Sequence, residues 1–90
     1  MTTELKLTSR TGSDPLGRPR MFHYYLTIDL VEGPAIALEN YGVCIREEGG
    51  DTACVPGITT SATRIDELIT LLVDNLVSPA SLRDVIDDWL

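Results

Sequence analysis

The chain offers little to do chemistry with. It carries one histidine, His23, one tryptophan, Trp89, and two cysteines, Cys44 and Cys54. No Gly-x-Gly-x-x-Gly, no Walker phosphate-binding sequence and no Gly-x-Ser-x-Gly occurs, so dinucleotide, P-loop and serine-hydrolase chemistry lack their usual scaffolds. There is no CxxC, and a zinc centre needs four ligands where two Cys and one His give three. No stretch approaches the roughly 18 apolar residues of a membrane span, and the N-terminus lacks a basic segment leading into an apolar run. The expectation is therefore a cytoplasmic protein without a signal peptide, both thiols reduced. Positive charge is scarce too: seven basic residues stand against fourteen acidic ones, for a net charge of −7. The deficit lies in the later part, since residues 32–90 hold three Arg against eleven acids. An acidic body repels phosphate backbones and anionic lipid, so neither nucleic acid nor membrane is an expected partner.

What is present is an ordinary soluble composition, 43% hydrophobic and 23% charged over 90 residues. That is one domain, residues 1–90, with a thin core and a stability on the order of 5 kcal/mol. A core this small favours self-association, and a homodimer or small homo-oligomer is expected.

Residues 1–20 read as a short strand plus a flexible loop. Leu5 and Leu7 alternate with Glu4, Lys6 and Thr8, and the Gly- and Pro-rich segment 10–20 follows. MFHYYLTIDLV is the strongest strand. Phe22, Tyr24, Leu26, Ile28 and Leu30 share one face, and His23, Tyr25, Thr27 and Asp29 share the other. In AIALENYGVCIRE the parity changes: Ile36 and Leu38 are even, Tyr41, Val43 and Ile45 odd. A bulge or break near Glu39–Asn40 would reconcile them. Gly49-Gly50 supplies a tight turn, and a short strand from Thr52 runs to Pro56-Gly57. The period then becomes helical, with Ile65, Leu68, Ile69, Leu72 and Leu76 on one stripe, Ser61 or Thr63 as cap and Asn75 to Pro79 as its end. A last helix is capped by Ser78 with Pro79 at its first position, and Leu82, Val85, Ile86 and Trp89 form its apolar stripe. The fold predicted is α+β: an antiparallel meander of three to four strands, then two C-terminal helices packed on one face.

The strand Tyr24-Tyr25-Leu26, the triplet Tyr41-Gly42-Val43, and Val77-Ser78-Pro79 followed by Leu82, Asp84-Val85-Ile86 and Asp87-Asp88-Trp89-Leu90 resemble a family of short bacterial proteins. That family is described as a domain of unknown function and found mainly in clostridia-like Gram-positives. The resemblance covers roughly residues 22–90 and implies no activity, cofactor or partner.

Each candidate site has a plain structural reading beside it. Asp84, Asp87 and Asp88 give too few oxygens at the wrong spacing for a cation and suit a solvated helix face. Cys44 and Cys54 flank one hairpin as a redox pair, as half a metal site with His23, or as small apolar neighbours on adjacent strands. His23 has no evident nucleophile to serve and reads as a surface residue. Arg18 and Arg20 flank Pro19 and could clamp an anion, although such residues usually sit in solvent. The second strand face, with His23, Tyr25, Thr27 and Val31, is more apolar than a solvated face needs and suits protein contact. No catalytic, cofactor-binding or metal-ligating residue is assigned and no cofactor is expected. The favoured function is a non-enzymatic interaction or regulatory module. The alternative is a small-ligand- or metal-dependent enzyme using Cys44, Cys54, His23 or the C-terminal acids.

Overall fold

The central strands carry the fold because they alternate most cleanly. In the computed structural model, which describes residues 2–35 and 37–90, strand β2 (Pro19–Glu32) lies between β1 (Thr2–Ser13) and β3 (Ala37–Glu47). Strand β4 (Thr52–Thr59) completes an antiparallel sheet in the order β1-β2-β3-β4. Helices α1 (Ala62–Asp74) and α2 (Leu82–Trp89) follow, linked by a 3-10 turn at Pro79–Ser81. Both pack on the same sheet face, where Phe22, Tyr24, Val43 and Ile45 meet Ile65, Leu68, Leu72, Val77, Leu82 and Ile86. The expected α+β meander with two helices on one face is the observed fold.

Several boundaries differ from those read in the sequence. Segment 10–20 is mostly strand: Arg10 to Ser13 pair with Phe22 to Pro19, leaving a turn of residues 14–18. Asp14 closes that turn, its Oδ1 accepting from the Leu16 and Arg18 N–H groups at 2.9 and 2.8 Å. These bonds satisfy turn donors that the Gly and Pro content alone would leave to water.

The break predicted near Glu39–Asn40 does not occur. The β2–β3 ladder runs without a shift from Glu32↔Ala37 to Phe22↔Glu47, with Ile36 outside the described residues. Leu38 simply lies beside Val31 on the face away from the helices, and both are exposed. At this end no core presses on either face, so the parity change costs little. The irregularities fall on the outer strands. One lies in β1 between Lys6 and Thr8. The other lies in β4, which advances from Val55 to Thr59 while β3 moves only from Val43 to Tyr41. This second bulge holds Pro56 and Gly57, the latter at φ +64°, and the strand continues through the point where the sequence suggested it would stop. A bulge is one of the few places a strand tolerates Pro.

The helix ends show why α1 stops where it does. Ser61 Oγ accepts from the Arg64 N–H at 3.2 Å, as predicted for a cap. At the other end Leu76 takes φ +50°, Val77 N–H reaches Leu72 C=O at 3.0 Å and Leu76 N–H reaches Val73 C=O at 3.2 Å. This is a Schellman closure with Leu in the position glycine normally fills. Buried Val77 and Leu72 make its apolar contact, and the Leu76 side chain packs on the core, which offsets the unfavourable backbone. Two sheet residues finish the carbonyls here: Arg10 donates to Val73 O at 3.0 Å and Tyr24 Oη donates to Val77 O at 3.0 Å. Ser78 is extended as a cap residue should be, but its hydroxyl caps nothing, and Pro79 opens the 3-10 turn rather than α2 itself.

Candidate functional site

The chemistry-bearing residues divide between two surfaces on opposite sides of the sheet. On α2, Leu82 and Ile86 are buried and Val85 and Trp89 are half-buried against the core, while Asp84, Asp87 and Asp88 are exposed. Arg64 of α1 stacks over the Trp89 ring at 4.2 Å, pinning the end of α2 through a cation–π contact. The three aspartates are therefore the wet side of a packed helix, and none joins a cluster of cation-ligating groups among the described residues.

The other surface is the sheet face away from the helices. Register places Lys6, Tyr25, Cys44 and Cys54 in one row across all four strands. Cys44 and Cys54 are directly opposite, their Cα atoms 4.1 Å apart, and their sulfurs form a disulfide. The expectation of two reduced thiols is corrected by this pairing; among the described residues no cysteine is free. The cause is register: a close, non-hydrogen-bonded antiparallel pair has its Cα atoms about 4.5 Å apart and turns both side chains the same way. Cys44 is fully buried and Cys54 is exposed.

Above this row lies a small charged lid. Arg46 Nη2 donates to both carboxylate oxygens of Glu4 at 2.9 Å, and its guanidinium covers the Tyr25 ring at 4.6 Å. The bond to Glu4, followed by that to Tyr25, holds the Arg46 pKa above its ordinary value. A Glu4 carboxylate oxygen and both sulfurs lie within 4.8 Å of one another. With Glu4 committed to Arg46 and both sulfurs in a cystine, these three offer no metal centre of the tetrahedral kind.

His23 sits farther along the same face, its Nδ1 2.6 Å from Ser9 Oγ and its backbone opposite Arg46, outside the Glu4–Cys44–Cys54 group. Thr27 is enclosed, 2% exposed, and its hydroxyl is the one buried side-chain polar atom among the described residues without a partner. It faces Gly42, over which the β4 bulge passes so closely that an added Cβ would touch the Val55 carbonyl and Pro56. Of the proposed contact face, His23 and Tyr25 are half-covered, Thr27 is sealed, and Val31 is open at 49% beside Leu38 at 47%. Arg18 is tied to Asp14 and Arg20 to Glu47, so the two arginines form no anion clamp. The Glu4–Arg46 lid was missed in the sequence. Only the pairing of β1, which brings Glu4 within reach of β3, could have revealed it.

No cavity opens among the described residues. The enzyme alternative rests on the cysteines, His23 or the terminal acids lining a pocket. The cysteines and His23 share the outer sheet face, whereas the terminal aspartates lie on α2, so the two groups line no common pocket. These features define a small α+β protein whose reactive groups lie on an open sheet face, not in a cleft. The chain belongs to a family of unknown function, DUF6514, which matches residues 4–90 and so reaches well into the N-terminal strand that the resemblance left out. No curated protein and no solved structure matches it.

Proposed function

We propose that this protein is a cytoplasmic, non-enzymatic interaction module that works as a homodimer, joined through the part of the sheet the helices leave bare. The observation that carries the reading is the fading burial along β2. Phe22 and Tyr24 are sealed under the helices, Leu26 and Ile28 are half-buried, and Leu30 is 53% exposed on the same face. Leu5 of β1 pairs with Leu26 and is 46% exposed. The apolar stripe thus continues past its cover.

The dimensions agree. The molecule extends 54 × 24 × 17 Å with a radius of gyration of 14.0 Å, against about 12 Å for a compact chain of this length. Its accessible surface is 5597 Å², where a folded monomer of this mass averages about 5,200 Å². A stable interface needs about 800 Å² from each partner. The excess surface equals about half of that, and an apolar stripe of this kind can cover itself against a second copy in a two-fold pairing. A second copy is therefore the occupant that the surface fits.

Sedimentation velocity at tens of micromolar tests this. The wild-type chain should sediment as a dimer, and Leu30→Lys and Leu5→Lys, both at exposed positions, should give folded monomers. A monomeric wild type would overturn the self-association. No membrane attachment is invoked, and no helix among the described residues is long and apolar enough to cross one.

A further inference from the structure

The outer sheet face carries a second feature that does not depend on self-association. We propose that Cys44–Cys54 is a thiol–disulfide exchange site, reacting through the Cys54 sulfur with low-molecular-weight thiols and their disulfides. Three observations support it. The cysteines are direct cross-strand partners, and Val43↔Val55, Ile45↔Ala53 and Arg46↔Thr52 hold the register on either side. The sulfurs therefore stay neighbours whether bonded or not. The pair is also asymmetric: Cys44 has no exposure, whereas Cys54 is an exposed residue on an edge strand, so an incoming thiolate approaches from the Cys54 side. Finally, the bond lies on the face away from the packed core, in a hairpin already closed by its own turn, where Gly50 N–H donates to Glu47 O at 3.0 Å. Breaking it leaves the helix-side packing in place.

In the first step a thiolate attacks Cys54 Sγ, a mixed disulfide forms, and the Sγ–Sγ bond breaks with Cys44 leaving as a thiolate that takes a proton from solvent. A second thiolate attacks the sulfur of the attached small thiol and releases Cys54. Two small thiols become one small disulfide and the cystine becomes two thiols; run in reverse, a small disulfide re-forms the cystine. Glu4 and Arg46 modulate both directions by charge. The intact pair is neutral beside the sulfurs. Glu4→Gln leaves a positive charge that attracts the thiolate and favours its leaving group, while Arg46→Gln leaves a negative charge that opposes both.

The test uses the full chain in glutathione buffers without denaturant, with alkylation and intact-mass readout. The native protein should pass reversibly between no alkylated thiols and two with its circular dichroism unchanged. With oxidised glutathione, Cys44→Ala should gain one glutathione on Cys54 about tenfold or more faster than Cys54→Ala gains one on Cys44, because buried Cys44 must await local opening. Glu4→Gln should speed native reduction and Arg46→Gln should slow it. The proposal is overturned if the cystine is reduced only in urea that unfolds the chain, if it never forms, or if both single-cysteine variants react alike. Both charge variants moving in the same direction would remove Glu4 and Arg46 from the account.

Discussion

Gly42 is the position where a single methyl group should do most harm. A Cβ there would lie 2.5 Å from Pro56 Cα and 2.6 Å from Thr27 Oγ1, and closer still to the Val55 carbonyl oxygen. Carbon atoms rest about 3.5–4.0 Å apart, so the β4 bulge would have to retreat by about 1 Å. Two of the three obstacles are backbone, and β4 is held there by the pairs Val43↔Val55 and Tyr41↔Thr59 on either side of the bulge. Overpacking costs about 1–3 kcal/mol, occasionally more, and an obstacle made of backbone belongs at the upper end. A chain of this size has about 5–13 kcal/mol in all, so Gly42→Ala should remove about 3 kcal/mol and lower Tm by about 12–24 °C. Gly12→Ala is the control: its nearest neighbours are Leu76 and Phe22 side-chain carbons at 3.8 Å, an ordinary contact. It should stay within about 0.5 kcal/mol of wild type. Urea and thermal unfolding followed by circular dichroism give the magnitudes, and amide exchange should show protection lost first along Thr52–Thr59. If Gly42→Ala melts within a few degrees of wild type, β4 does not cross Gly42 as described, and the sealing of Thr27 fails with it.

On α2, Leu82→Ala should cost about 2–5 kcal/mol because its side chain is wholly enclosed. Asp84→Asn, Asp87→Asn and Asp88→Asn should each stay within about 0.5 kcal/mol and leave calorimetry with calcium or magnesium silent; heat of binding from the native chain that the Asn variants lose would reinstate a cation site. The turn at residues 14–18 should respond to acid. The backbone bond from Arg18 lowers the Asp14 pKa first, and the Arg18 side chain and Leu16 N–H add to it, so the carboxylate supports the turn above its unfolded value of 3.8 and that support is lost as pH falls through the lower folded value. NMR titration should show the Leu16 and Arg18 amide shifts moving with the Asp14 carboxyl below pH 3.8; a midpoint at or above 3.8 would contradict it.

Much of the architecture was legible in the sequence where periodicity coincides with burial. The alternation of Phe22 and Tyr24, and the helical spacing of Ile65, Leu68 and Leu72, read correctly because the core enforces both. The Leu82–Trp89 stripe and the solvent-facing aspartates were legible for the same reason. Reading failed where a pattern was not enforced. Ile36 and Leu38 suggested a break, yet β3 runs straight from Ala37 because that end carries no cover to set its parity. The end of α1 from Asn75 onward was legible, but not that Leu76 takes the left-handed position there while packing on the core. The candidate site was half legible. Two cysteines flanking Gly49 imply a hairpin pair, but not that one is sealed and the other open.

The amino-acid order by itself determined an antiparallel meander, two amphipathic helices and an acidic exterior, because strand and helix periods are local properties of the chain. Only the tertiary structure decided that the helices cover one end of the sheet, leaving Leu30 and Leu5 bare. It alone brought Glu4 beside Arg46, and closed the β4 bulge over Gly42 and Thr27. Those outcomes depend on contacts between residues far apart in the chain, whose formation turns on how whole elements dock, and no local pattern encodes that docking.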